Sequence, residues 1–293
     1  RTGKYVAHVI ESSKRNFRKS ICFITGVPGS GKTLAGLNIV NSRVDSHTDE
    51  HAVFLSGNGP LVAVLREALA IDAVERSKIE NRKKTKKSIE HGKASKFIQN
   101  IHHFRDQYLI DLKPPIEKLV VFDEAQRAWN VEQASKFMAN KKGRKDFFMS
   151  EPEFLISVMD RHDDWCTIVC LVGEGQEINT GEAGLAAWME ALQEKFTSWD
   201  VHISNAVISA NTSLLPVDIL KFLESERISK TDDLHLSVAV RSFRAENLSN
   251  FVGAVLDGDT RRARYLLEDS LKDYPIFITR DLKHARTWLR LKK

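Results

Sequence analysis

Cysteines are scarce in this sequence, and long apolar runs are absent. Only three of the 293 residues are cysteines, and no two of them form a CxxC pair, which argues against a disulfide framework or a zinc site of paired thiols. Each cysteine lies in or beside an apolar run, so we expect three core residues in a reducing compartment, the cytoplasm. No apolar stretch reaches the roughly 18 residues that a membrane span requires. The absence of GxSxG and HExxH motifs argues against serine hydrolases and zinc proteases.

Charged residues make up 28% of the chain and hydrophobic residues 42%, which is ordinary for a globular protein. The formal net charge of +5 suits a polyanionic partner, because bound lysines and arginines release phosphate counterions. Positive residues concentrate at 82–96 and 141–145. Each run is typical of a nucleic-acid surface or of a solvated loop, and both interpretations stay open here. The chain begins with Arg1 and no signal-peptide pattern follows, so we expect a trimmed or partial chain.

Strand-like and helix-like segments alternate along the chain, which predicts an α/β fold with a parallel sheet flanked by helices. Most predicted strands are short and apolar, as is typical of strands that are buried on both faces. The six predicted strands span residues 21–25, 52–55, 119–122, 167–172, 201–204 and 234–240. Apolar residues recur at helical spacing over 34–40, 61–69, 97–108 and 154–159.

Two longer segments, 70–113 and 128–153, separate these elements, and we predict that they are insertions that carry the basic runs. Residues 1–240 are then expected to form one lobe. Near the C-terminus, a predicted strand at 274–279 precedes a helix over 281–291 that begins at a capping aspartate. We therefore predict that 241–293 is a connector and the incomplete start of a second α/β lobe.

Residues 26–33 match the phosphate-binding pattern GxxxxGK[ST], with an apolar strand before them and a helix-like segment after them. Glycines let backbone N–H groups wrap around phosphates at a helix N-terminus, where the helix dipole also favours negative charge. We predict that ATP binds here, with the Lys32 ammonium at the β and γ phosphates and the Thr33 hydroxyl on Mg²⁺. The predicted nucleotide-binding residues are Gly26, Val27, Pro28, Gly29, Ser30, Gly31, Lys32 and Thr33.

A second apolar strand ends in two carboxylates, Asp123 and Glu124. Because the carboxyl ends of parallel strands meet in one crevice, Asp123 is predicted to lie beside Thr33 and to bind the same Mg²⁺. Glu124 is then placed to orient or activate water. An Asp-Glu pair at a strand end is common by itself, but its combination with residues 26–33 predicts an ATPase.

Residues 122–129, with the sequence FDEAQRAW, resemble the DExQ box of superfamily 1 helicases. Together with GVPGSGKT at 26–33, FLSGNGPL at 54–61, VGEGQEI at 172–178 and VRSFR at 240–244, they look like the Schlafen-type DNA/RNA helicase-like domain. The resemblance covers nearly the whole chain. It implies a RecA-like P-loop NTPase that uses ATP and Mg²⁺ and acts on DNA or RNA, with single-stranded nucleic acid as its partner.

The resemblance also implies further catalytic residues. Gln126 is similar to a glutamine that senses the γ-phosphate and relays nucleotide state. Gln176 resembles the glutamine of a GDxxQ motif, although Glu174 replaces the aspartate and one spacer residue is missing. Arg241 resembles an arginine that neutralises transition-state charge from the cleft between two lobes; Arg244 is the fallback, and a surface salt bridge is the alternative role for either. The predicted catalytic set is Lys32, Glu124, Gln126, Gln176 and Arg241.

Two features near these motifs carry alternatives. Ser56, Asn58 and Gly59 follow the second strand, where superfamily 1 helicases place a loop that touches the nucleic-acid backbone, yet Asn-Gly-Pro is equally typical of a turn before a helix. Trp129 is suited to stacking on a base, which is worth roughly 1 to 3 kcal/mol, or to packing against its neighbours.

The predicted function is an ATP-dependent nucleic-acid motor of the helicase class. The alternative is a nucleotide-gated switch or scaffold, for example in bacterial defence, whose ATP state controls a fused or partner effector domain without unwinding. A small-molecule kinase shares the phosphate-binding loop but is not expected to carry the glutamine motif or Arg241. Because the arginines of a second lobe are not in this sequence, we predict slow ATP hydrolysis and little unwinding by these residues alone.

Overall fold

The computed structural model of the chain divides into two units, Arg1–Val238 and Ala239–Lys293. The structure describes the backbone but not the side chains of residues 44, 243–246 and 249. The described residues are 1–27, 29–44, 51–79, 86–173, 184–206, 216–237, 243–272, 274–277 and 279–291.

Parallel strands of the first unit form one sheet, which confirms the predicted fold class. Their order is β3-β2-β4-β5-β1-β6-β7, with β8 paired to β1. The described strands are Lys19–Gly26 (β1), His51–Ser56 (β2), Ile98–Asn100 (β3), Glu117–Asp123 (β4), Cys166–Leu171 (β5), Asp200–Ile203 (β6), Ile228–Lys230 (β7) and His235–Leu236 (β8). Because these strands are parallel, the loops that follow β1, β2 and β4 lie at the same edge of the sheet.

Helices cover both faces of this sheet. Alternate strand side chains enter two cores: Phe23 and Phe122 face one, and Ile24 and Val121 face the other. The described helices of this unit are Thr2–Asn16 (α1), Lys32–Val44 (α2), Gly59–Ile79 (α3), Lys87–Phe97 (α4), Ile101–Tyr108 (α5), Val131–Lys142 (α6), Glu151–Met159 (α7), Gly184–Glu194 (α8) and Val217–Phe222 (α9). Helices α1 to α3 pack on the face of Ile24, and α5 to α9 pack on the face of Phe23.

Several of these helices begin with side-chain caps, among them α5, α6 and α7. Asn100 Oδ1 accepts from the His102 N–H at the start of α5, and Asn130 Oδ1 accepts from the Gln133 N–H at the start of α6. Ser150 Oγ likewise accepts a hydrogen bond at the start of α7. Each cap satisfies an N–H that has no partner within its own helix.

Five predicted strands match β1, β2, β4, β5 and β6 within two residues at either end. The strand predicted at 234–240 is shorter, because only 235–236 pair and 238–240 lie outside the described residues. The prediction missed β3 and β7, which have three residues each and are too short to show a period. β3 also interrupts the helix predicted over 97–108: α4 ends at Phe97, and α5 begins at Ile101.

The segment 70–113 was predicted to be an insertion, but part of it belongs to the core. β3 pairs with β2, and Ile98, Phe104 and Tyr108 are buried. β3 of this segment therefore extends the sheet, and that the segment is an insertion stays a prediction. The segment 128–153 contributes α6 and the start of α7.

The second unit contains the described helices Phe243–Leu256 (α10), Thr260–Asp269 (α11) and Leu282–Leu291 (α12). The predicted helix near the C-terminus is present, but no strand forms in the described residues 274–277 and 279. Ile276 packs instead against a small core of buried residues that includes Phe251 and Leu271. That 241–293 begins a second lobe stays a prediction.

Cys22, Cys166 and Cys170 are buried, as predicted for core residues. Burial raises the pKa of each thiol, which makes these side chains poor nucleophiles. In the part of the chain that the structure describes, no helix is both long enough and apolar enough to cross a membrane.

Candidate functional site

Glycines shape the loop that joins β1 to α2. A Cβ atom on Gly26 would lie 2.5 Å from Leu236 O and 2.7 Å from Ser30 Oγ, so a larger residue would have to displace the backbone. Gly29 and Gly31 have φ angles of 78° and 86°, in the left-handed region that glycine adopts at little cost. The loop thereby ends at the N-terminus of α2, where backbone N–H groups are available to an anion. Pro28 lies outside the described residues.

Lys32 and Thr33 occupy the first turn of α2. The Lys32 ammonium donates to Gly26 O at 2.6 Å and to Val27 O at 3.3 Å, so it lies over the loop. Thr33 Oγ1 donates to Asp123 Oδ1 at 3.2 Å, although β5 lies between β1 and β4 in the sheet. The fold therefore brings the loop and the acidic end of β4 together.

Asp123 is a buried carboxylate whose second oxygen, Oδ2, has no hydrogen-bond partner among the described residues. Burial, and then the charge of Glu124, raise the pKa of Asp123 to about 6, against the opposing hydrogen bond from Thr33. A buried carboxylate oxygen without a partner is costly, and a cation is one way to satisfy it. Carboxylate and hydroxyl oxygens are ligands that Mg²⁺ accepts. Asp123 and Thr33 therefore fit a magnesium site.

Glu124 has φ 55° and ψ 45°, a left-handed conformation that is strained for a residue with a side chain. Gln126 holds it in place: Nε2 donates to Glu124 Oε2 at 2.6 Å, and Oε1 accepts from Gly173 N–H at 2.9 Å. Arg127 Nε also lies 3.4 Å from Glu124 Oε2, a contact that the sequence analysis missed. Gln126 is buried, and its two hydrogen bonds connect Glu124 to Gly173, two residues after the end of β5.

Other predicted site residues are not covered by the structure. Gln176 and Arg241, together with Glu174 and the side chain of Arg244, lie outside the described residues. Their catalytic roles therefore stay predictions.

A cleft of about 450 Å³ opens beside Asp123 at the carboxyl edge of the sheet. Thr33, Ser56, Asn58, Glu124 and Trp129 are among the residues that line it. Ser56 Oγ accepts from the Asn58 N–H, and Asn58 Oδ1 accepts from the Leu61 N–H. These two residues therefore form a turn that caps α3, and they also face the cleft.

Trp129, which also lines this cleft, is held by contacts from several segments. Its main-chain N–H donates to Glu151 Oε2 at 3.1 Å, and its main-chain carbonyl accepts from the Glu151 main-chain N–H at 2.9 Å. The Arg105 guanidinium carbon lies 5.2 Å from the indole centre, and the rings of His102 and Phe137 lie 5.6 and 5.0 Å away. The sequence predicted Trp129 as a candidate for stacking on a base. It did not predict these neighbours, which come from three separate segments.

Arg105 and Glu151 form an ion pair behind Trp129, at 3.4 Å, with side chains only 3% and 5% exposed. Burial raises the pKa of Glu151, and the Trp129 N–H and Arg105 oppose this rise. Burial and then Arg105 lower the pKa of His102, which favours a neutral imidazole at pH 7.

Comparison with known proteins identifies the family. Residues 19–293 match the family described as Schlafen group 3, DNA/RNA helicase domain. The chain is also similar to the crystal structure of the Pyrococcus furiosus Hef helicase domain, with 15% identity and a TM-score of 0.36, over 76% of this chain and 37% of that one. It thus spans well under half of that structure's length, and no curated protein matches it. Because the family match covers nearly all of its residues, the chain belongs to the Schlafen group 3 DNA/RNA helicase domain family.

Proposed function

We propose that this chain is an ATPase of the helicase class, which binds Mg²⁺-ATP at residues 26–33 and couples hydrolysis to single-stranded DNA or RNA. The observation that carries the proposal is the contact between Thr33 and Asp123, which leaves Asp123 Oδ2 buried without a partner among the described residues. Family membership supports the nucleic-acid partner.

The phosphate end of the cleft acts mainly by binding and orienting. Backbone N–H groups at the start of α2 hold the phosphates, and the Lys32 ammonium exchanges the loop carbonyls for β and γ phosphate oxygens. Thr33 and Asp123 hold Mg²⁺, which supplies positive charge to the phosphates when bound. Gln176 and Arg241, which lie outside the described residues, keep their predicted catalytic roles.

Glu124 orients the attacking water and accepts its proton. Because Gln126 donates to Oε2, Oε1 is the oxygen that faces the water. Gln126 also bonds to Gly173 at the end of β5, three residues before Gln176. We infer that this link carries the state of the nucleotide from Glu124 to β5, which supports coupling in a motor and equally in a switch.

The test is ATPase activity with and without oligo-dT or oligo-rU, in the natural protein and two variants. Lys32→Ala should lose nucleotide binding. Glu124→Gln should still bind ATP but hydrolyse it about 10²- to 10⁴-fold more slowly, because the general base is lost. Normal turnover by Glu124→Gln would contradict its role. If neither oligonucleotide stimulates the natural protein, the nucleotide-gated switch is favoured over the motor.

A further inference from the structure

The ion pair behind Trp129 needs an explanation beyond stability. Burying Arg105 and Glu151 removes both charges from water, and such a pair contributes little net stability compared with apolar side chains of similar size. What the pair does is fix an aromatic ring: Glu151 bonds both main-chain groups of Trp129, and Arg105 lies beside the indole. The position of Trp129 is thus set by groups that cost free energy to bury.

Trp129 also borders two cavities. Trp129 lines the cleft of about 450 Å³ that contains Asp123, and it also lines a groove of about 570 Å³ along α6. Trp129 is half-buried, so it is the surface that the two cavities share. A chain molecule that enters the cleft can therefore continue across the indole into the groove.

The groove along α6 is cationic and polar. Gln133, Lys136, Phe137, Asn140 and Lys141 line it, and their spacing of three to four residues puts them on one face of the helix. Lys136 and Lys141 are exposed and form no ion pair with the residues that the structure describes. Glu132 is the single carboxylate among the described lining residues.

Both basic runs are partly neutralised, since Lys142 of α6 pairs with Asp106 and two lysines of α4 are paired as well. On α4, Lys87 pairs with Glu67 and Lys93 pairs with Glu90. Those carboxylates neutralise part of the positive charge at 86–96, whereas Lys136 and Lys141 keep theirs available to a phosphate.

We propose that Trp129 is the stacking platform for one base of a single-stranded nucleic acid whose backbone follows α6 across Lys136 and Lys141. The proposal rests on the proposed function and names the path of its polyanionic partner. A fixed indole beside a cationic groove is the combination that single strands use, because any base can stack on it while lysines contact phosphates. Lys136 and Lys141 are five residues apart, about 7.5 Å along a helix.

The path also places the strand next to the ATPase residues. Trp129 lies three residues after Gln126, and both belong to the loop that follows β4. A base on the indole therefore contacts the segment that orients Glu124, which gives the strand a direct way to affect hydrolysis.

The experiment measures fluorescence anisotropy of labelled oligo-dT and oligo-rU across a salt series. Trp129→Ala should weaken binding about 5- to 150-fold, and Trp129→Phe should recover most of it because an aromatic face remains. Lys136→Ala/Lys141→Ala should weaken binding and lower the slope of log K against log salt by about 1.4. The oligo-dT and oligo-rU arms distinguish DNA from RNA.

The matched control is Lys113→Ala/Lys221→Ala, which removes two exposed lysines of the same unit away from the groove and should leave affinity and slope unchanged. Because Trp129→Ala removes packing, the exposed-lysine variant tests the path without a change in the core. If the natural protein binds and the Trp129 and lysine variants bind like the control, the platform is wrong while the proposed function stands. If the natural protein binds neither oligonucleotide, the nucleic-acid part of the proposed function fails.

Discussion

Two arginine–glutamate pairs have the same N···O distance of 3.4 Å but different surroundings, one beside Trp129 (the platform end) and one that includes Glu124, next to Asp123 (the phosphate end). At the platform end, Arg105 and Glu151 are 3% and 5% exposed; at the phosphate end, Arg127 and Glu124 are 42% and 37% exposed. Burial makes the first pair part of the scaffold, because neither charge can be solvated if the other is removed. Solvent screens the second pair, so its attraction contributes little to stability.

Asp123 is a third carboxylate at this cleft, and its surroundings differ from those of Glu124 and Glu151. It is buried like Glu151, but the charge of Lys32 lowers its pKa less than the Thr33 hydrogen bond does, and Oδ2 has no hydrogen-bond partner among the described residues. A buried carboxylate that is paired with an internal cation indicates a structural role, and one with an oxygen left unsatisfied fits an external cation. The groups that bond each carboxylate therefore distinguish Glu151, which belongs to the scaffold, from Asp123, which fits a ligand site.

The largest expected effect is at the platform end. Arg105→Ala leaves Glu151 buried without its cation, and we expect the free energy of unfolding to fall by about 3 to 5 kcal/mol. The double variant Arg105→Met/Glu151→Gln removes both charges and keeps an acceptor for the Trp129 main-chain N–H. Its free energy of unfolding should therefore fall much less. Urea unfolding at pH 7.5 measures both. Equal losses in the single and double variants would mean that the charge pair is not what the site depends on.

A smaller effect of opposite sign is expected at Asp123. The pKa of Asp123 is raised from 3.8 to about 6 in the folded chain, so between these values the folded state holds a proton that the unfolded state has lost. Stability of the metal-free protein therefore falls as pH rises from about 4 to 6. Asp123→Asn avoids the buried charge, and we expect it to be about 1 to 3 kcal/mol more stable at pH 7.5 in EDTA.

The same variant should lose this advantage below about pH 4, where the natural carboxyl is protonated in both states. Adding Mg²⁺-ATP should stabilise the natural protein and not Asp123→Asn. Urea unfolding across pH, with and without Mg²⁺-ATP, checks both statements. An Asp123→Asn protein that is less stable than the natural one in EDTA at pH 7.5 would show that Asp123 serves the fold.

The phosphate end was predictable from sequence because its physics is local. Residues 26–33 and 123–124 are contiguous, and glycine, lysine and carboxylate at fixed spacing limit what such segments can do. The parallel sheet followed from apolar strands alternating with helices. The contacts of Glu124 with Gln126 and Arg127 were missed, although both residues lie within three positions of it.

The platform end was not predictable, because it is assembled from distant segments. Arg105, Trp129 and Glu151 lie on three elements, and in sequence an arginine or glutamate on a helix indicates solvent exposure. β3 was missed for a related reason: three residues have no period of their own, and their pairing with β2 decides their conformation. Charge burial of this kind appears only after tertiary packing.

The smallest expected effect is at Arg127. Because Arg127 and Glu124 are both more than a third exposed, Arg127→Ala should change the free energy of unfolding by about 1 kcal/mol or less. Raising the salt concentration should shrink that difference further, since screening acts on exposed charges, whereas the loss in Arg105→Ala should barely respond to salt. Urea unfolding of both variants at low and high salt measures this contrast. A loss above about 2 kcal/mol in Arg127→Ala that persists at high salt would mean that this pair also belongs to the scaffold, because an exposed pair cannot supply so much.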